Sequence, residues 1–412
     1  MGRVIPPLLA GNTGFRRFWI GQTVSLFGDQ ITLIALPLTA VLALHADAAR
    51  MGYLTTAALV PNLLFSLHAG AWVDRLGRRR DVMLAADVVR ALLIASIPAA
   101  YGLWHLTFAQ LYVVAFATGT ASVFFSVAYG SLFALTVGRD DYVAASSLLN
   151  GSRAASFVGG PSVGGLLVQL LRGPWALLVD AATFVWSAAF LGRMRVAEPE
   201  GDTGGGDVLT GARWLARSPL MRAELLATTT INYFNFVFFA LFILFATRSL
   251  HVSPAALGLV LGAGAVGGLV GSVITARVTR QLGVGPALLL GCILFPAPLL
   301  LVPAAAGPRW LVYLCLFTSE FGSGLGVMIL DIVAGSISAS LVPARLRARV
   351  SGAFMVVNYG IRPLGTITGG LLGAWLGLRP TLWIATAGAC AGILWLLPSP
   401  VRTLRELPEV AE

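Results

Sequence analysis

Lysine is absent from this 412-residue chain, and all 28 basic residues are arginine. Charge of either sign is scarce, at 11% of residues against 57% hydrophobic, and the mean hydropathy is +0.84. No soluble domain needs that much apolar surface, so a water-soluble fold is excluded. The three cysteines, Cys292, Cys315 and Cys390, lie in separate apolar runs with neither a pairing pattern nor metal-ligand spacing, and they read as small apolar residues. No metal and no cofactor is expected. The N-terminus lacks a charged region followed by a short apolar core and a cleavage site, so no removable signal peptide is expected.

What is present is a succession of apolar runs of membrane-spanning length, about 20 residues each. They fall at roughly 15–44, 52–73, 82–103, 107–136, 142–171 and 174–194, then at roughly 221–247, 254–277, 285–306, 309–340, 349–376 and 380–398. The expected fold is all-α and polytopic, with twelve spans in two pseudo-symmetric six-helix bundles. Residues 1–196 would form the first bundle, 197–220 a cytoplasmic linker, and 221–412 the second bundle with a short tail. Within the linker, 197–207 is acidic and glycine-rich, which suits a flexible connector. From 211 to 226, Trp214, Leu215 and Leu220 alternate with Arg213, Arg217 and Arg222, which predicts an amphipathic segment on the membrane surface. The polar tail from Arg402 is expected to be mobile.

The arginines set the orientation. Arg16, Arg17, Arg75, Arg78, Arg79, Arg80, Arg139, Arg193, Arg195, Arg213, Arg217, Arg277, Arg280, Arg345, Arg347 and Arg349 fall at loops or helix ends of one parity. Moving a guanidinium through hydrocarbon costs several kcal/mol, so that parity is cytoplasmic, as are both termini. The net charge of +10 follows from this topology and from anionic lipid headgroups, and nucleic acid is not an expected partner.

A repeat with an offset of about 206 residues relates the halves. Gln22 and Asp29 map onto Thr228 and Asn235, Arg139 onto Arg345, and Gly77 onto Gly283. Repeated halves are a common way for transporters to build one site at their interface.

Gly70-Ala-Trp-Val-Asp74-Arg75-Leu-Gly77-Arg78-Arg79-Arg80 joins the second and third spans. This string resembles the loop between helices 2 and 3 of major facilitator superfamily transporters. Gly159-Gly160-Pro161-Ser-Val-Gly164-Gly165 in the fifth span resembles the Gly-Pro-x-x-Gly-Gly motif of that superfamily's drug and proton antiporters. Small residues there permit close helix approach and Pro161 allows bending, so Gly160, Pro161, Gly164 and Gly165 read as a hinge or a tight interface. Arg362-Pro363-Leu-Gly365 with Gly369-Gly370 looks like its second-half counterpart. Segments beginning at Phe15, Asp87, Gly211 and Val342 extend the resemblance to the branch of macrolide efflux proteins and siderophore exporters. The fourth span departs from the pattern: it has no Arg, where classical drug and proton antiporters carry one.

Ionisable residues at bilayer depth are costly unless paired or facing water. Asp29 shares one helical face with Gln22, Ser25 and Thr32, and such a stripe should line a cavity. Thr228, Asn232 and Asn235, with Tyr233, Phe239 and neighbouring aromatics, offer matching polar handles for an amphipathic ligand. Glu320 and Asp331 share a face about 16 Å apart along the tenth span. Arg362 in the eleventh is expected to pair with Asp331, and Arg153 in the fifth to neutralise Asp29. Asp87 and Arg90 are expected to join Asp74 and Arg78 in a structural cluster near the cytoplasm. The resemblance assigns the residues Gly70, Asp74, Arg75, Gly77, Arg78, Asp87 and Arg90 to gating between the halves. Gly262-Ala-Gly264-Ala-Val-Gly267 spells a dinucleotide fingerprint but sits inside an apolar span, where helix packing is the better reading.

No P-loop or soluble nucleotide domain is present, and no nucleophile with a base points to an enzyme, which leaves an ion gradient as the energy source. The resemblance implies a secondary exporter of small amphipathic compounds such as antibiotics or siderophores, working by alternating access with proton antiport in a bacterial inner membrane, as a monomer. A lipid or lysolipid translocator and a nontransporting membrane sensor are the alternatives.

Overall fold

The computed structural model describes residues 7–194 and 208–407. The described chain is built from helices and connecting turns, with no strand among the described residues. In chain order the main helices are α1 (Thr13–Leu42), α2 (Ala48–Leu76), α3 (Arg79–Gly102), α4 (Phe108–Thr136), α5 (Tyr142–Leu171) and α6 (Gly173–Gly192). They continue with α7 (Val208–Arg217), α8 (Pro219–Arg248), α9 (Pro254–Leu282), α10 (Val284–Leu294), α11 (Arg309–Leu341), α12 (Arg347–Leu376) and α13 (Leu378–Cys390). Among the described residues, nine segments are long and apolar enough to cross a membrane. The remaining three predicted spans are occupied by α2, by α12, and by α13 with its short 3-10 continuation.

The helices expose large apolar side chains outward, including Leu92, Leu170, Val273 and Trp375, as a lipid-facing surface requires. Polar hydroxyls inside the spans are satisfied locally. Thr55, Thr118, Thr247 and Thr386 each donate to the carbonyl four residues back, which pairs these hydroxyls within their own helices.

The described residues form two compact units. Unit 1 comprises 7–45, 57–194 and 254–258, and unit 2 comprises 46–56, 208–253 and 259–407. Unit 1 packs around Phe15, Phe18, Met83, Leu132 and Leu191. Asn12 ties its first and fourth helices together, accepting from Phe15 N (2.8 Å) and donating to Thr136 O (2.9 Å). Unit 2 packs around Met221, Ile231, Leu288, Leu330, Ile337 and Val401.

The repeat is written in the backbone. Eight described residues have left-handed φ, and they form four pairs: His45 with His251, Gly77 with Gly283, Trp104 with Gly307, and Arg172 with Gly377. Within each pair the separation matches the repeat offset to within three residues. His45 and His251 match at 54° and 53° although an L-residue rarely adopts this conformation, so the two halves turn their chains at the same places for the same geometric reason.

Three expectations are corrected. The ninth span is not one helix: α10 stops at Leu294, and a 3-10 turn at Ala297–Leu300 precedes Leu301–Ala304, because Pro296, Pro298 and Pro303 withhold backbone N–H groups. The twelfth likewise tightens into a 3-10 turn after Cys390. The polar tail is anchored through Arg405, whose carbonyl accepts from Val284 N (3.2 Å) while that of Leu404 accepts from Gly285 N (2.8 Å). Helix α7 has the expected amphipathic pattern, with Leu215 buried in the unit 2 core and Arg213 and Arg217 exposed, and it packs on protein by its apolar side: Gly211 meets the start of α12 so closely that an added Cβ would stand 2.1 Å from Arg349 O. The expected connector at 197–207 lies outside the described residues.

Glycines set the closest crossings. In unit 1, Gly160 packs against the Gln30 side chain and Gly164 against the backbone of Ile31, while Gly165 receives the first turn of α9, 2.3 Å from Pro254 O to an added Cβ. Helix α5 runs without a break through Pro161, so these residues form a packing seam. In unit 2, Gly264 and Gly267 of α9 face Gly324 and Phe321 of α11; an added Cβ would stand 1.9 Å from Gly264 O at Gly324 and 2.0 Å from Phe321 O at Gly267. Overpacking of this kind costs about 1–3 kcal/mol. Gly267→Val is therefore expected to lower the midpoint of thermal unfolding, followed by tryptophan fluorescence of the purified protein, whereas Gly335→Ala, where nothing stands within 4 Å, is expected to leave it unchanged. Equal midpoints for the two variants would refute the seam.

Candidate functional site

Unit 1 holds a buried ionic cluster centred on Arg90. Its helix begins at Arg79, so Arg90 lies about three turns into α3, flanked by Val88, Val89, Ala91 and Leu92. Only 4% of its side chain is exposed. The guanidinium is sandwiched between Phe125 of α4 and Phe184 of α6, with its carbon 4.3 Å from each ring centroid. Each such contact is worth about 0.5–2 kcal/mol when desolvated. Around its edge, NH2 donates to Asp87 Oδ1 one turn earlier, and NH1 stands 3.6 Å from Asp29 Oδ1 of α1. Asp87 is fully buried, whereas Asp29 leaves 48% of its side chain open.

A third carboxyl adjoins this pair. Asp180 of α6 is fully buried, accepts from Thr32 through Oδ2, and accepts from Thr183 Oγ1 through Oδ1 (3.0 Å). Its approach to α1 depends on Gly28, where an added Cβ would stand 2.2 Å from Asp180 Oδ1 and 2.0 Å from Thr183 Oγ1. Gln22 donates to Ser187 Oγ (3.1 Å) on the same helix, and Ser25 is buried. The polar stripe of α1 thus binds α1 to α6, with Asp29 left open.

Three carboxyls and one guanidinium make an unbalanced set. Among the described residues no second cation forms an ion pair with it. Its net charge is −2 unless it takes up protons or another cation, and a low-dielectric interior strongly favours that uptake.

Two sequence expectations fail here. Arg153 does not neutralise Asp29: it is exposed, and the guanidinium at Asp29 is that of Arg90. Asp87 and Arg90 do not gather at the hairpin, because three turns of α3 carry Arg90 away from it to Asp29. Within the hairpin, Gly70 lies late in α2 and Gly77 makes the left-handed turn at φ 61°. Arg75 and Arg78 are exposed, and the Asp74 side chain lies outside the described residues. Arg80 satisfies the end of α6, donating to Leu191 O (3.0 Å) and Gly192 O (2.8 Å), where a cation also complements the helix dipole.

Unit 2 encloses a cavity of about 420 Å³ between α8, α10, α11 and α12. Thr228 and Asn232 line it, as do Asp331 and Arg362. Asp331 and Arg362 sense each other's charge but make no ion-pair contact; the guanidinium lies instead on the rings of Tyr359 (4.0 Å) and Phe236 (5.0 Å). The expected pair is therefore corrected to two charges facing one cavity. Glu320 turns away, its carboxyl lying against α9 at Gly264. Tyr233 is engaged with Thr368 (2.9 Å), Phe239 is 38% exposed, and Asn235 stands outside the cavity lining. Glu224 of α8, which sequence reasoning missed, lines the cavity and is buried. A carboxylate flanked by Ala223 and Leu225, inside an apolar run, was the signal for it.

Comparison with known proteins follows this geometry. The model of the Major Facilitator Superfamily matches residues 18–362 and 225–412, and the chain belongs to that superfamily: it is a multi-pass membrane transporter and not an enzyme. It is 27% identical over 374 residues to the multidrug efflux pump Tap of Mycolicibacterium fortuitum, covering 86% of this chain and 88% of that one. It is 27% identical over 412 residues to the multidrug efflux pump Tap of Mycobacterium tuberculosis, covering 93% and 92%. Among solved structures, the nucleoside transporter NupG aligns with a TM-score of 0.78 at 12% identity over 93% of this chain and 98% of that one. A bacterial homologue of the iron transporter ferroportin aligns at 0.73 and 15%, over 94% and 98%. At these identities the two structures speak to the fold alone.

Removing one partner of a buried ion pair costs about 3–5 kcal/mol, while an exposed substitution stays within about 0.5 kcal/mol. Arg90→Met is accordingly expected to lose most of its folded yield or to unfold at a far lower temperature in detergent, with Arg153→Met matching the parent. Comparable loss in both variants would contradict the assignment of Arg90 as the counter-charge.

Proposed function

We propose that this chain is a secondary active exporter of small amphipathic compounds, antibiotics and other secondary metabolites among them, driven by proton antiport. The observation that carries the reading is the buried excess of carboxyl over guanidinium around Arg90 in a superfamily transporter. A set with net charge −2 binds protons when isolated and releases them when its surroundings change, which is what coupling to a proton gradient requires. Asp29 is the member open to exchange, Asp87 and Arg90 hold it in place, and Asp180 is the reserve acceptor on α6. The relatives that match over most of their length and carry the name multidrug efflux pump support the substrate class and the outward direction.

In this reading residues 1–196 and 221–412 are the two moving bundles, 197–220 connects them, and alternating access exposes a shared path to either side of the bacterial plasma membrane. Both termini lie in the cytoplasm, as the arginine distribution requires. The transporter acts as a monomer, and the hairpin from Gly70 to Arg80 holds one of its alternating states.

The test begins with a growth-inhibition panel, with and without expression, and continues with transport of the best hit into everted vesicles under imposed pH gradients. Uptake is expected to rise with interior acidity and collapse with a protonophore. Asp29→Asn is expected to abolish gradient-driven accumulation while leaving substrate exchange at equilibrium. Gradient-driven accumulation by Asp29→Asn at the parental level would remove Asp29 from the mechanism, and uptake indifferent to the gradient in the parent would reject proton antiport.

A further inference from the structure

We propose that the unit 2 cavity is a binding site for an organic monocation, and that Glu224 is the residue that recognises its cationic centre. Only 3% of Glu224 is exposed, and its Oε2 is buried without a hydrogen-bond partner, yet it lines an open volume of about 420 Å³. A buried carboxylate in that condition is unstable as a lone charge and is neutralised by a proton or by a cationic ligand.

The groups facing it leave that role unfilled. On its own helix stand Thr228 and Asn232, whose donors are already directed to the backbone of α8. Cys292 of α10 lies within reach of its charge and supplies no cation. From α11 comes Asp331, a second acid, and from α12 come Tyr359 and Arg362. Arg362 forms no ion pair with Glu224 and is held on its aromatic rings. With two carboxyls against one guanidinium, one carboxyl of the cavity, Glu224, has no counter-charge and stays neutral only by holding a proton.

The walls decide among cations. Phe295, Phe354, Met355 and Tyr359 present aromatic and thioether surface, which holds quaternary or protonated nitrogen and its apolar substituents. A hard inorganic cation would require several oxygen ligands converging on one point, and among the described residues no group of three or more His, Cys, Asp or Glu side chains comes together to hold one. Anions and neutral compounds bring no positive charge to Glu224 and leave its proton in place. The volume falls within the range of small-molecule sites, about 300–1,000 Å³. Binding is an exchange: the O–H bond of Glu224 breaks, its proton goes to solvent, and the carboxylate takes the ligand's charge in its place.

As a transport substrate such a cation rests on the exporter reading; as a ligand it does not, and the test reads binding alone. The full-length protein in detergent is titrated with tetraphenylphosphonium, whose charge does not depend on pH, and in parallel with uncharged triphenylphosphine oxide and anionic tetraphenylborate. Tetraphenylphosphonium is expected to bind at least about tenfold more tightly than either, releasing about one proton per molecule bound into weakly buffered solution. Glu224→Gln is expected to weaken binding by about tenfold or more and to abolish the release, and Glu224→Asp to retain both within about threefold.

No binding of tetraphenylphosphonium, equal affinity for the three probes, or undiminished binding and proton release in Glu224→Gln would each overturn the proposal. Should Glu224→Gln fail to fold, probe selectivity and proton release in the parent protein still decide. Failure of this site with intact gradient-driven efflux of the growth-panel hit would leave the exporter reading standing, and cation binding without any transport would do the reverse.

Discussion

One guanidinium organises the first half of this transporter. Arg90 lies where hydrocarbon would otherwise exclude it, and it is tolerated because two aromatic faces, Phe125 and Phe184, cover its plane while Asp87 and Asp29 meet its edge. Four helices contribute to that arrangement: α1 through Asp29, α3 through Asp87 and Arg90, α4 through Phe125, and α6 through Phe184. Displacing any one of them uncovers a buried charge. Helix packing and charge balance in this unit are therefore one problem, and a change in protonation is felt by the packing of all four helices. Gly28 belongs to the same constraint, since a side chain there would force Asp180 and Thr183 away from α1.

The two halves share their backbone and differ in their chemistry. Left-handed turns recur at matching positions, down to His45 and His251, so the turning points of the chain are duplicated even though the helix matching α3 breaks at Leu294. The ionisable groups are not duplicated. Arg90 corresponds to Pro296 at the repeat offset, Asp29 to Asn235, and Glu224 to Phe18. Unit 1 closes its acids around an arginine and hydroxyl donors, whereas unit 2 leaves Glu224 unpartnered beside a cavity and holds Arg362 on aromatic rings. This division places the proposed ion coupling in one half and the proposed ligand recognition in the other.

The fold was legible because its causes are local. Apolar runs of membrane length, arginines confined to alternate loops, and glycine-rich strings each report on a single helix or hairpin. Prolines 296, 298 and 303 could have warned that the ninth span would break, and the docking of Gly211 on Arg349 could not be read from the amphipathic pattern of α7 alone. The sites were harder because they depend on which helix faces get paired. Asp29 was visible as a charge on a polar stripe, but its partner came from α3 rather than α5. Arg90 had looked like part of the cytoplasmic hairpin, since its distance from Arg78 along the chain says nothing about depth until the helix is built. Glu224 was hidden by its neighbours Arg217 and Arg222, which gave the start of α8 the character of an interfacial segment.

The central claim is that the carboxyls around Arg90 hold exchangeable protons. Infrared difference spectroscopy of the lipid-reconstituted protein, recorded between acid and alkaline pH, reads protonated carboxyl groups directly through their C=O stretch. At least one carboxyl band is expected to appear on acidification, to vanish in Asp29→Asn, and to shift in Asp87→Asn, where the charge held against Arg90 changes. A carboxyl spectrum identical in the parent, Asp29→Asn and Asp87→Asn would contradict the account.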